Sequence, residues 1–456
     1  MQLFFPPWRS LRSWREIIFF VPLYTTHVKV IETSDSTQTP THVRYWVIVF
    51  AVALAVVTYI DRVCISQAAP LITRDLGFSK GQMGYVFSAF TLAYSLFEIP
   101  GGYLGDRMGA RRVLMRIVLW WSVFTAATGF AWNYLSMIVT RFLFGAGEAG
   151  CFPNLTKSFT TWLPIEERVR AQGILWMAAR WGGAFTPLLV NQVLKWMSWR
   201  EAFMMFGGIG AIWAVLFFRW YRDNPRDKES VNAAELELIE KTQHLASSHT
   251  NVPWGKLIKS RQAWLLCIQY FCLSYSWYFY ITWLPTYLLE ARHTTLDRGA
   301  LLATLPLLLG GFGSLCCGIF YPLVNRWTGD LGKSRRLMAS IGFFGAGSFL
   351  LISNRLEVAT YAMIAMGIAS FFNDLVMPGS WAACMDVGGK YAGTLSGTMN
   401  MVGNLGGALS GVATPFILRH ANNDWSVIFY VEAAIYFSGI FFWLFLDPVT
   451  PLEEAA

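Results

Sequence analysis

Long apolar stretches separated by short polar turns recur along the whole chain. Twelve of them lie near 45–66, 80–106, 112–131, 134–162, 166–194, 201–221, 262–290, 299–324, 336–353, 356–385, 391–418 and 425–446. Each is close to or above the roughly 20 mostly apolar residues that a membrane-crossing helix requires, so the pattern predicts an all-α membrane protein with twelve transmembrane helices. Only one interior stretch is both long and hydrophilic, residues 222–261, with Asn224-Pro225, a charged helix-like run from Lys228 to Lys241, and Ser, His and Thr around 247–250. It divides the helices into six plus six. The expected organisation is a cytoplasmic tail (1–43), a first six-helix bundle (44–221), a cytoplasmic linker (222–261), a second six-helix bundle (262–447) and a short cytoplasmic tail (448–456). In the first tail, Arg9, Arg12 and Arg15 precede a short apolar run, Ile17 to Leu23, which Pro22 interrupts, and no small-residue cleavage site follows. This reads as an interfacial amphipathic stretch or an over-extended translation start rather than a signal peptide.

Composition agrees with the pattern: 55% of residues are hydrophobic and 14% charged, against roughly 25% charged in soluble domains. The net charge of +8 raises the question of nucleic acid, which the placement of the charge answers. With residue 44 leading into the first helix from the cytoplasm, the cytoplasmic segments hold 22 Lys and Arg and the outer loops 8. That is a positive-inside topology with both termini cytoplasmic, expected in a bacterial inner membrane; nucleic acid is not an expected partner, and membrane lipid is. All seven cysteines fall in apolar segments without a Cys-x-x-Cys and His grouping, so they read as packing residues, with no metal, cofactor or structural disulfide expected. No Ser-His-Asp or metal constellation stands out, so the chain does not read as an enzyme. The histidines (27, 42, 244, 249, 293 and 420) lie outside the helix cores, leaving carboxylates as the available proton carriers.

Five charges interrupt the apolar segments: Asp61, Arg62, Arg141, Glu148 and Arg180. Charge at membrane depth is costly, and its default reading is a substrate or ion pathway. Arg141 and Glu148 are seven residues apart, so they project from one helix face about 10 Å apart along the axis, with Gly145 and Gly147 leaving space between them. The second segment places Tyr94 and Glu98 on one stripe. The seventh holds Trp277, Tyr278, Tyr280 and Trp283, the tenth Asn373, Asp374, Ser380 and Trp381, and the eleventh Asn400 and Asn404. Between segments two and three the chain reads Gly102-Tyr-Leu-Gly-Asp106-Arg107-Met-Gly109-Ala-Arg111-Arg112, where Asp106 can pair with arginines across the cytoplasmic side and latch one conformation. Gly182-Gly183 and Pro187 of segment five are echoed by Gly406-Gly407 and Pro415 of segment eleven, as an internal repeat would produce. Lys157 lies near a helix end, positioned to snorkel.

The loop from Gly102 to Arg112 resembles the signature loop of the major facilitator superfamily, and its degenerate counterpart keeps Asn325-Arg326 and Lys333-Ser-Arg335-Arg336. Tyr59-Ile-Asp61-Arg62, the Arg141 to Glu148 motif, Trp283-Leu-Pro285-Thr-Tyr287 and the Asn400/Asn404 pair resemble the anion:cation symporter branch, which includes bacterial proton-coupled sugar-acid importers such as the D-galactonate transporter. The resemblance covers roughly residues 44–447. It implies two pseudo-symmetric six-helix bundles working by alternating access. Asp61 and Glu148 would carry protons, and Arg62 and Arg141 would meet a substrate carboxylate. Tyr59, Tyr94, Tyr278, Ser380, Trp381, Asn400 and Asn404 would line the pocket, and Gly102, Asp106, Arg107, Gly109, Arg111 and Arg112 would form the latch. Two positions depart from the branch's pattern, Arg180 and Glu98. Arg180 is either a third anion ligand, suited to a dicarboxylate, or a partner for Glu98 or another acid. Asp374 is either a pocket residue or a hydrogen-bond acceptor within its helix. The expected function is import of a small organic anion, a hexonate, hexarate or hexuronate, by proton symport through a monomer. Protonation of Asp61 and Glu148 would free the arginines for the substrate. The alternatives are another carboxylate, aromatic or dicarboxylic, or a drug/proton exporter, which the pocket's surplus of base disfavours.

Overall fold

In the computed structural model, which describes residues 39–240, 252 and 254–452, every regular element is helical, and the chain from Pro40 onward forms one compact unit. The expected amphipathic run at 17–23 and the polar stretch at 247–250 lie outside the described residues. The first half comprises α1 (Tyr45–Leu76), α2 (Lys80–Met108), α3 (Ala110–Gly129), α4 in two pieces (Tyr134–Glu148 and Cys151–Trp162), α5 (Ile165–Val193) and α6 (Trp199–Trp220). The second comprises α7 (Arg261–Thr282, continued by Leu284–Glu290), α8 (Leu296–Thr328), α9 (Leu331–Arg355), α10 (Ala359–Gly388), α11 (Ala392–His420) and α12 (Trp425–Phe445).

Several helices outrun their apolar segments. Hydropathy marks the stretch suited to lipid, whereas the helix continues until a residue ends it, as α1 does at Gly77 with φ +67°. Ser79 with Gln82 starts α2, and Ser198 with Glu201 starts α6, each as a reciprocal capping box. Seven helical stretches are long and apolar enough on their own to cross a membrane, one of which, Ala359–His420, contains both α10 and α11. Of the remaining spans, two carry charge inward: α2 buries Glu98 and Asp106, and α5 buries Arg168 and Arg180.

The seam between the halves is made by α2 against α11 and by α5 against α8 and α10. The end of the bundle carrying residues 222–261 is called here the linker end, and the opposite one the far end. At the linker end, Glu235 of a short helix (Ala233–Glu240) accepts hydrogen bonds from Arg44 Nη1 (2.9 Å) and Thr41 Oγ1 (2.5 Å). The linker is thereby docked onto the start of α1. The helical run expected from Lys228 is confined to Ala233–Glu240 among the described residues.

Candidate functional site

The seam is tied at the linker end by charges. Gly102 of α2 faces Gly393 of α11 so closely that any Cβ there would collide with the Gly393 carbonyl. This contact lets the Asp106 carboxylate reach the start of α11, where it accepts hydrogen bonds from the Gly393 N–H (3.1 Å), the Thr394 N–H (2.6 Å) and the Thr394 hydroxyl (2.7 Å). Lys157 Nζ lies 3.3 Å from the same carboxylate and donates to the Lys390 carbonyl. Asp106 therefore does bridge the halves, but through backbone amides at a helix N-terminus and a lysine, not through arginines. Arg107 and Arg112 stay exposed, and Arg111 donates to the Phe218 carbonyl (2.7 and 2.9 Å) within the first half. Gly109, at φ +85°, turns the chain from α2 into α3. Lys157 does not snorkel; it is buried in the seam.

A second tie has no counterpart in the expected latch. Asp386 of α10 accepts from Arg168 of α5 with one oxygen and from Arg335 of α9 with the other, all three buried. An acid two residues before the end of a largely apolar span was the signal available in the sequence. Among the described residues, every hydrogen bond between the halves lies at the linker end or mid-bundle, and none lies at the far end. This conformation is shut at the linker end.

Mid-bundle, the first half gathers four of the five interior charges. Arg62 Nε donates to Glu148, forming an ion pair in which the Arg62 side chain is 21% exposed and the Glu148 side chain 0%, while Arg62 Nη2 is buried without a hydrogen-bond partner. Glu148 ends the first piece of α4. The helix breaks there because Gly150 adopts φ +81°, a conformation that favours glycine, and because Gly101 of α2 presses against it, leaving a Cβ at Gly150 only 2.6 Å from the Gly101 Cα. The guanidinium of Arg62 also lies 4.4 Å from the Tyr94 ring and 5.8 Å from the Tyr59 ring. Arg141 is buried behind it over Phe144 (4.2 Å), and its Nε and Nη1 have no hydrogen-bond partner. Asp61 is fully buried with neither oxygen hydrogen-bonded. Two clefts, one lined by Gln67, Asn191 and Lys195 and one by Glu290, Arg292 and Asp424, lie at the far end, away from these charges.

Opposite this cluster stands a pair that joins the halves. Arg180 of α5 forks onto Asp374 of α10 (Nε to Oδ2 2.6 Å, Nη2 to Oδ1 2.8 Å) and lies 4.0 Å above the Trp277 ring. Asn373 donates to the same carboxylate (2.9 Å). Of the two roles open to Arg180, the structure places it in a pair with an acid, and that acid is Asp374 rather than Glu98. Glu98 instead accepts from Asn400 (2.7 Å), whose amide also reaches the Tyr94 hydroxyl (3.4 Å). Asn404 donates to the Asn400 carbonyl (2.9 Å) and accepts from Tyr278 (2.6 Å). Trp381 is buried beneath this level, 5.3 Å from Trp176 of the other half, with its N–H on the Tyr270 hydroxyl (3.1 Å). Ser380 is turned into the second bundle, bonded to Gln269 (3.1 Å), which also accepts from Trp443 of α12. Of the expected pocket residues, it is the one not brought toward the charges.

The sequence matches the Major Facilitator Superfamily over residues 51–411 and again over 308–456. The chain belongs to that superfamily. It is 35% identical to a probable sulfoacetate transporter of Cupriavidus necator, over 87% of this chain and 92% of that one. It is 30% identical to a D-galactonate transporter of Escherichia coli, over 87% and 93% of the two chains. Its fold is similar to the crystal structure of the E. coli fucose:proton symporter, with a TM-score of 0.68 at 16% identity, covering 89% of this chain and 99% of that one. The sugar-acid relatives agree with the anion:cation symporter branch, and this facilitator is an integral membrane transporter, not an enzyme.

Proposed function

We propose that this facilitator imports a small organic anion together with protons, with its linker end and both termini on the cytoplasmic side. The Arg62–Glu148 pair carries the reading: an arginine whose side chain is partly exposed, and whose Nη2 is buried without a hydrogen-bond partner, is held by a carboxylate wholly inside the protein. An anion arriving from the far end can take the guanidinium only when Glu148 no longer claims it, because a buried carboxylate left without its partner is strongly disfavoured. A proton on Glu148 meets that condition. Asp61, with no donor on either oxygen, is the second proton carrier, since a buried carboxyl without hydrogen bonds is tolerated best as the neutral acid. The unpaired N–H groups of Arg141 add positive charge behind the site. The positive-inside distribution of Lys and Arg supports the orientation, and a site complete within one chain supports a monomer.

The side chains best suited to read sugar hydroxyls are engaged with one another: Asn400 with Glu98, Asn404 with Tyr278, Ser380 with Gln269. This favours a compact anion recognised mainly by charge, with one acidic head on Arg62 and a second competing with Asp374 for Arg180. Such a two-headed anion is what the name of the Cupriavidus relative specifies. The sugar-acid reading is second, supported by the galactonate relative. A thermal-shift screen of the purified protein separates the two: sulfoacetate is expected to stabilise it more than galactonate or glucarate, with the shift lost in Arg62→Ala. Stabilisation by hexonates alone would reverse the order, and stabilisation by lipophilic cations alone would overturn anion transport.

A further inference from the structure

Glu98 is a fully buried carboxyl that the coupling scheme above leaves idle. It lies on α2 ten residues before that helix ends at the linker end, about 15 Å along the axis. Its Oε1 accepts from Asn400 of the other half at 2.7 Å, while Oε2 has no partner. The two helices touch here through their backbones, since a Cβ on Gly397 of α11 would lie 2.7 Å from the Glu98 carbonyl oxygen. The contact thus combines a titratable group, a direct hydrogen bond and a close backbone approach, as the Asp106 tie does nearer the linker end.

We propose that Glu98 is a proton-operated clasp: ionised, it holds Asn400 and keeps the linker end shut; protonated, it lets that end open. A hydrogen bond to an ionised acceptor is roughly twice as strong as a neutral one, so losing the charge weakens the tie without moving any atom. Oε2, the oxygen without a partner, is where the proton would sit. The clasp continues into the second half through Asn404 to Tyr278.

The groups facing Glu98 explain how loading would reach it. They are Arg62 from α1, Tyr94 on its own helix, Cys151 just after the α4 break, and Tyr278 from α7. From Ala392 to Leu418, α11 contributes no charged side chain. Arg62 is thus the cation that Glu98 faces. An anion seated on Arg62 cancels that charge, and a proton on Glu98 restores the balance of the buried cluster. Anion loading at the far end would then release the seam at the linker end. This last link rests on the anion-transport reading; the clasp itself does not.

Hydrogen–deuterium exchange on the full-length protein without substrate tests the clasp. After correction for the intrinsic pH dependence of exchange, segments 103–112 and 386–396 are expected to exchange about tenfold faster at mildly acidic than at mildly alkaline pH, the worth of one hydrogen bond to a charged group. Glu98→Gln is expected to exchange fast at both pH values. Asn400→Asp should reverse the sign: two facing carboxylates repel and open the seam at alkaline pH, and one shared proton closes it at acidic pH. A wild-type pH response in Glu98→Gln, or an unreversed one in Asn400→Asp, overturns the clasp. Neither outcome bears on whether the protein carries anions, which the uptake assay decides separately.

Discussion

Replacing Glu148 with Gln is expected to abolish the proton-driven accumulation of the anion that runs through this site while leaving anion-for-anion counterflow measurable. Gln keeps the size of Glu148 and can still meet Arg62, but it carries no charge and takes up no proton. On the proposed reading the Arg62–Glu148 pair must be neutralised before an anion binds, so each cycle would carry a proton with the substrate. A pH difference of about one unit is worth about 1.4 kcal/mol per coupled proton, a tenfold accumulation. In Glu148→Gln the guanidinium is permanently released, binding no longer requires the proton, and the accumulation driven through this site falls to about unity. Loss of counterflow as well would mean that Glu148 positions Arg62 for binding rather than coupling it to protons. Reconstituted vesicles with internal and external substrate distinguish the two directly.

Replacing Asp386 with Asn opens the linker end. Asp386 shares its two oxygens between Arg168 of the first half and Arg335 of the second, and among the described residues no other acid is bonded to either. Removing one partner of a buried ion pair costs about 3–5 kcal/mol, because a charge is left buried without compensation. Here the cost falls on the seam rather than on either bundle. Arg168 keeps its bond to the Thr160 carbonyl (3.0 Å) and Arg335 its bond to the Pro448 carbonyl (2.5 Å), each within its own half. The variant should therefore fold and insert but populate the shut linker end far less. Spin labels on the exposed positions Arg219 of α6 and Lys333 of α9, one in each half, should report a longer distance in Asp386→Asn. An unchanged distance would mean that the Asp106 and Glu98 ties hold this end without Asp386.

The sequence made the helices legible because lipid imposes a length and an apolarity that few other environments demand. It made the first-half charges legible for a related reason: Asp61, Arg62, Arg141 and Glu148 stand out against their apolar surroundings, and the seven-residue spacing puts the last two on one face. What it could not supply was the rotation of each helix against its neighbours. Ser380 and Trp381 are adjacent, yet one turns into the second bundle and the other meets Trp176 across the seam. The latch shows a second limit. Lys157 reads as a snorkelling helix-end residue and Asp386 draws no reading at all, because their partners, Asp106, Arg168 and Arg335, come from other helices, Arg168 from the other half. Arg180 combines both limits, since its charge was conspicuous but its partner, Asp374, lies 194 residues on and in the other half.

The central claim, that an anion and a proton cross together through the Arg62–Glu148 site, is tested most directly by proton influx into proteoliposomes. With the purified protein reconstituted and an internal pH dye present, external sulfoacetate or a sugar acid is expected to acidify the lumen. The acidification should depend on the anion and fall in Glu148→Gln, which removes one of the two proposed proton carriers and leaves Asp61. Anion uptake without acidification, or acidification undiminished in that variant, would contradict the account.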